Sequence, residues 1–185
     1  MSLATKPLSG LKVIELGTLI AGPFASRICA EFGADVIKVE SPDGGDPLRK
    51  WRKLYEGTSL WWFVQARNKK SLTLNLKHPD GLNILKELLA EADILIENFR
   101  PGVLDRLGLG YEAIKARKPD IVFASATGFG ATGPLSTMPG QDLLAQARSG
   151  LVYATGPGTT GMGAAVCDQH GAALLALGVS MGAVT

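Results

Sequence analysis

Lys12-Val13-Ile14-Glu15-Leu16-Gly17, then residues 21–32, then Asp35-Val36-Ile37-Lys38-Val39-Glu40 form the stretch that decides the fold. Residues 13–16 make a short apolar run that suits a buried strand. Residues 21–32 read as a helix. Pro23 fits its first turn, Ile28 and Phe32 lie four apart on one face, and Gly33 supplies the C-terminal cap. Residues 35–40, around Val36-Ile37-Lys38-Val39, read as a second strand. The three pieces make a βαβ unit, whose crossover is right-handed.

The same alternation continues outward. Residues 71–76 alternate like a strand, and residues 80–92 form an amphipathic helix with Leu82, Leu85, Leu88 and Leu89 on one face. Residues 93–97 are an apolar strand ending at Asn98-Phe99-Arg100-Pro101-Gly102. A helix over 111–117 leads into a strand over 121–126. Between the second and third strands lies a turn-rich connection, residues 41–67, that carries Trp51, Trp61 and Trp62. Connections of that length are functional or pack over another element, and the tryptophans are expected in a core or a dimer interface. Strands alternating with helices predict an α/β fold, a Rossmann-like parallel sheet with flanking helices, with the ligand site at the carboxyl ends of the strands.

Composition narrows the function. The chain has 185 residues, 46% of them apolar, which suits one domain or little more with a sizeable core. Nineteen basic and seventeen acidic side chains leave a net charge of +2 without runs of either sign, so no nucleic-acid partner is expected. Twenty-three glycines exceed the about 13 that average usage gives, pointing to tight turns and close backbone approaches around a ligand. Cys29 and Cys167 form neither a CxxC nor a Cys/His cluster, so no metal and no disulfide framework is expected. The first twelve residues lack a secretion signal, and the weakly polar stretch 171–184 is shorter than the about 20 residues of a membrane span. A soluble, cytoplasmic protein without a membrane partner is the expectation.

Glu40 at the end of the second strand invites a dinucleotide-binding reading. The turn after the first strand, Gly17-Thr18-Leu19-Ile20-Ala21-Gly22-Pro23, has the wrong glycine spacing, and Pro23 removes an amide donor. Neither a phosphate-binding Gly-Lys-Ser/Thr loop nor a G-x-S-x-G nucleophile turn is present. What remains is an ordered set of segments that folding alone does not explain. They are Ala21-Gly22-Pro23, residues 33–40, Asn68-Lys69-Lys70-Ser71, residues 97–102, and Gly128-Phe129-Gly130 with Gly133-Pro134. In this order the chain, from about Pro7 onward, resembles the class III coenzyme A transferases, the CaiB/BaiF family.

The resemblance implies a large Rossmann-like domain, a smaller second domain and an interlocked homodimer, with residues 1–185 as the amino-terminal part of the large domain and the second domain absent. It implies no permanently bound cofactor, coenzyme A as substrate, and acyl-CoA and small carboxylic acids as partners. It places the nucleophile at Asp168, within Val166-Cys167-Asp168-Gln169-His170-Gly171. An ionised carboxylate attacks the thioester without a separate base. The alternative is that Asp168 only caps the helix it opens, and the two roles are compatible. The resemblance also sets Leu19, Ile20 and Ala21 against the nucleotide or pantetheine arm, with Leu74, Lys77, Asn98, Phe99 and Arg106 as further contacts. Lys77 and Arg106 suit phosphates, Phe99 an apolar contact, and Asn98 a donor and acceptor. A solvated surface for the two cations and a turn role for Asn98 stand beside those readings. Ser41 and Pro139 depart from the formyl-CoA transferase pattern, which has an arginine and a lysine there.

His78 is expected at a helix start on the surface, and His170 beside the pocket without a required role. Cys29 and Cys167 are expected to be small buried side chains. The same family contains 2-methylacyl-CoA racemases, which need a histidine where this chain has Gln141, and glutamine exchanges no proton at neutral pH. A truncated, non-catalytic chain is the third reading. Residues 171–184 read as a small-residue helix that reaches Thr185 without a cap, as expected of a fragment.

Overall fold

The computed structural model describes residues 6–158 and 160–183. The chain runs β1 (Lys12–Glu15), α1 (Ala21–Glu31), β2 (Asp35–Glu40), a 3-10 turn (Pro47–Lys50), β3 (Leu54–Tyr55), β4 (Thr58–Ser59), α2 (Leu60–Gln65) and β5 (Lys69–Thr73). It continues through α3 (Pro79–Glu91), β6 (Ile94–Glu97), α4 (Val103–Arg106), α5 (Tyr111–Lys115), β7 (Val122–Ser125), α6 (Asp142–Arg148), α7 (Leu151–Thr155) and α8 (Val166–Gly182).

Five strands form one parallel sheet in the order β5-β2-β1-β6-β7. The chain therefore winds outward from β1 in one direction, then returns to place β6 on its other side. That reversal opens a crevice between the carboxyl ends of β1 and β6. Strand alternation sends Val13, Val36, Ile94 and Ile96 to one face, where α1 and α8 cover them through Ala25, Cys29, Ala172 and Ala176. Ile14 and Leu95 point to the other face, against Leu85, Leu89, Leu104 and Ile114 of α3, α4 and α5. The expected α/β fold, a parallel sheet with flanking helices, is present.

Three expectations are corrected. The third strand of the sheet is Lys69–Thr73, starting two residues and ending three residues earlier than expected, and the Lys69 side chain at its start is buried in an ion pair with Glu15. The connection over 41–67 has structure of its own: a 3-10 turn, a two-stranded hairpin and α2. In it Trp51 and Trp61 meet at 5.7 Å, and the Arg49 guanidinium lies 3.8 Å over Trp62. The last helix begins at Val166, before the expected residue 171, and Val184 and Thr185 lie outside the described residues. Its residues Ala172, Ala176 and Val179 are buried, while Leu174, Leu177 and Met181 stay 56%, 57% and 62% exposed. Among the described residues no helix is long and apolar enough to cross a membrane.

Candidate active site

Beneath the crevice lies a buried network of charges. The Lys38 ammonium donates to Glu15 Oε1 at 2.6 Å and to the Gly17 carbonyl at 2.7 Å, and pairs with Asp46 Oδ2 at 2.9 Å. Lys69 donates to Glu15 Oε2 and to the Pro23 carbonyl, both at 2.7 Å, and Ser26 donates to Glu15 Oε2 at 2.6 Å. Burial pushes the Glu15 carboxyl up, but Lys69 and Lys38 outweigh it and hold the group below its usual range. Next to this cluster, Glu40 accepts from Arg49 Nε at 2.7 Å, Ser71 Oγ at 2.6 Å and the Asp46 amide at 2.9 Å. These bonds overcome the effect of burial and bring the Glu40 carboxyl down to about 2. Glu40 is thus held by the protein's own donors while bordering the cleft. Much of the sequence around Lys38, Glu40, Lys69 and Ser71 is explained by this network.

The network holds the turn after β1 in an uncommon shape. Leu19 has φ +62, a left-handed conformation that costs a side-chain-bearing residue roughly 1–2 kcal/mol. Its amide donates to both Asp46 carboxylate oxygens, at 3.1 and 3.2 Å. From the opposite side Asn98 accepts from the Thr18 amide at 2.7 Å and donates to the Thr18 carbonyl at 2.9 Å. Gly17 and Gly22 leave room for this bridge, since a Cβ on Gly17 would come within 3.0 Å of Asn98 Oδ1. Asn98 therefore joins β6 to the β1–α1 turn across the reversal point, through one donor and one acceptor bond of its amide.

Beside the turn a cleft of about 330 Å³ opens at the carboxyl ends of β1, β2, β5 and β6. Among the expected residues, Leu74, Lys77, Phe99 and Arg106 line it together. Leu19, Ile20, Ala21 and Asn98 are not among its lining residues. Ile20 is only 2% exposed, so its side chain presents little surface to a ligand, whereas Leu19 is 37% exposed at the edge of the turn. Ser41, at the position of the family's arginine, does line the cleft. Lys77 and Arg106 are exposed and have no ion pair among the described residues, while Asp43 is an acidic member of the same wall. Gly17 and Thr18 also line it. The sequence signal for those two was their place at the end of β1.

Asp168 lies in the first turn of α8. Near the other end of this helix, a Cβ on Gly182 would touch Val122, the first residue of β7. The helix therefore runs against the strands and carries Asp168 toward their carboxyl ends. Asp168 is not the N-cap. Ala165 holds that position, and the capping oxygen comes from Asp142, which accepts from the Cys167 amide at 2.8 Å and the Asp168 amide at 3.1 Å. Burial, and then the nearby Asp142 charge, raise the Asp168 carboxyl to about 6. Gln141 is exposed and makes no capping bond. His78 does cap α3, accepting from the Asp80 amide at 3.3 Å, and it is exposed. Cys29 is fully buried as expected, but Cys167 is only half-buried. Among the described residues no cluster of His, Cys, Asp or Glu is placed to hold a metal ion.

The sequence pattern of CoA-transferase family III matches residues 8–185. Over 177 residues the chain is 43% identical to a succinyl-CoA–D-citramalate CoA-transferase of Chloroflexus aurantiacus, covering 94% of this chain and 44% of that one. It is 46% identical over 153 residues to the human succinyl-CoA:glutarate CoA-transferase, covering 82% of this chain and 35% of that one. A CaiB/BaiF family protein from Brucella suis superposes with a TM-score of 0.92 at 36% identity, over 97% of this chain and 50% of the other. The chain spans at most about half the length of these relatives. It belongs to CoA-transferase family III.

Proposed function

We propose that the protein carrying this chain moves coenzyme A from a short acyl-CoA, with succinyl-CoA the first candidate, to a free carboxylic acid. The observation that carries this reading is 43–46% identity to CoA-transferases whose names specify succinyl-CoA as donor. The cleft at the strand ends supports it, with Lys77 and Arg106 for the phosphates and Phe99 and Leu74 for apolar parts of the CoA arm. The chain is the amino-terminal part of a large domain, and the working unit is an interlocked homodimer.

Asp168 is the nucleophile. Its ionised oxygen attacks the thioester carbonyl, the C–S bond breaks, and a mixed anhydride and CoA thiolate result. The thiolate attacks the aspartyl carbonyl of the anhydride, releasing the donor's carboxylate and leaving an aspartyl-CoA thioester. The acceptor carboxylate then displaces the thiolate to form a second anhydride. Thiolate attack on the acceptor's acyl carbon yields the new thioester and regenerates Asp168. No net proton is gained or lost, so the four steps need no separate acid or base. The deciding experiment incubates the protein with succinyl-CoA and a panel of carboxylic acids, and resolves the thioesters chromatographically. A new acyl-CoA matching one added acid is expected. Exchange of solvent hydrogen at the α-carbon of a 2-methylacyl-CoA, with no transfer to any acid, would establish racemase chemistry instead.

A further inference from the structure

Helix α8 opens without an oxygen of its own to receive its first amides, because Ala165 occupies the N-cap. Asp142, at the start of α6, fills that gap. Its Oδ1 receives the Cys167 and Asp168 amides, and its Oδ2 receives Gln146 Nε2 at 2.6 Å. Gln146, 1% exposed, also donates to the Ala164 carbonyl at 3.3 Å and accepts from the Met162 amide at 2.8 Å. Two side chains of α6 thus hold the approach to α8 and its first turn. An asparagine would offer the same capping oxygen without placing a second negative charge beside an acid. The carboxylate has a second acceptor oxygen for Gln146, which an asparagine lacks, and the charge that comes with it lies beside Asp168.

We propose that Asp142 is a positioning residue for the transfer reaction, fixing the backbone of Asp168 from α6 and keeping a second negative charge against its carboxylate. The inference rests on the reading of Asp168 as nucleophile. Positioning sets the line of attack, and the second charge makes the carboxylate more basic, and so a stronger nucleophile once ionised. The elements packed against α8 contribute few other charges. On α1, Arg27 and Glu31 pair with each other at 3.0 Å, and β7 has no ionisable side chain. On α6, Arg148 stacks over Phe129 at 5.5 Å. Cys167 and His170 are the ionisable neighbours on α8 itself.

The test compares Asp142→Ala, Asp142→Asn and Asp168→Ala in the protein that carries this chain. Asp142→Ala should lower kcat about 10²-fold, the scale of a 1 Å misplacement, with KM for the acyl-CoA little changed. Hydrogen exchange at the Cys167 and Asp168 amides should quicken in this variant. Asp142→Asn gives up the charge and the Gln146 bond but keeps an oxygen for both amides. Their protection should survive, kcat on the alkaline plateau should stay within about tenfold of the parent, and the acid limb should move to lower pH. Parental turnover in Asp142→Ala, or an unmoved acid limb in Asp142→Asn, would overturn the proposal. Asp168→Ala separates the two readings. If it still transfers CoA, the nucleophile assignment falls; if it is silent while Asp142→Ala is fully active, only the role of Asp142 falls.

Discussion

Replacing Lys38 by methionine keeps the length of the side chain and deletes one buried charge. All three ammonium hydrogens have acceptors within 2.9 Å: Glu15, Asp46 and the Gly17 carbonyl. The side chains of Lys38, Glu15 and Asp46 are 2%, 0% and 1% exposed, so the three charges are withdrawn from water in the folded chain. Glu15 would keep Lys69, while Asp46 would lose its cation and hold only amides. Removing one partner of a buried pair costs about 3–5 kcal/mol. At roughly 2–4 °C per kcal/mol for a domain of this size, the midpoint should fall by about 6–20 °C. Lys70→Met is the control. Lys70 meets Asp35 at the same kind of distance, 2.8 Å, but the two side chains are 68% and 51% exposed. That variant should lose only about 0–1 kcal/mol. Pulse proteolysis in urea at low protein concentration measures both without interference from association. If the two variants lose the same stability within about 1 kcal/mol, the network does not hold the site in the way described.

Three further outcomes are expected. Glu40, held from 4.5 down to about 2, contributes stability that is complete above pH 4.5 and lost as pH falls through about 2. The difference is up to about 3 kcal/mol, so Glu40→Gln should flatten acid unfolding curves over that window. Lys77→Ala and Arg106→Ala should each raise the Kd for CoA by about tenfold in calorimetry, while Lys70→Ala, away from the cleft, should not. Leu174, Leu177 and Met181 recur at helical spacing and are all more than half exposed, so the 185-residue chain should self-associate in size-exclusion chromatography with light scattering. Charged substitutions at Leu174 and Leu177 should shift it toward monomer; a monodisperse unmodified monomer would contradict the reading.

The sheet was legible because its central strands are runs of Val, Ile and Leu, and because Pro23 and Gly33 bracket α1. The start of β5 is not marked locally, because Lys69 and Lys70 look alike in sequence, although one is buried against Glu15 and the other is exposed. Helix α6, which the family resemblance places after Gln141, has no apolar pattern of its own for a related reason. Its fully buried residue is Gln146, held by polar bonds, so no apolar period marks it. Four CoA-contact residues expected from the family meet in one cleft, yet the partners of Asn98 and Asp142 are 80 and 26 residues away. Contacts of that kind arise only when the chain closes, and no local pattern encodes them.

In the proposed reaction Asp168 forms a covalent link to coenzyme A during transfer. Mass spectrometry of the protein quenched in acid after mixing with succinyl-CoA tests it directly. A CoA thioester is expected on the peptide containing Asp168, converted to a hydroxamate by hydroxylamine and missing in Asp168→Ala. Transfer that proceeds with no adduct on that peptide, or with the adduct on another residue, would contradict it.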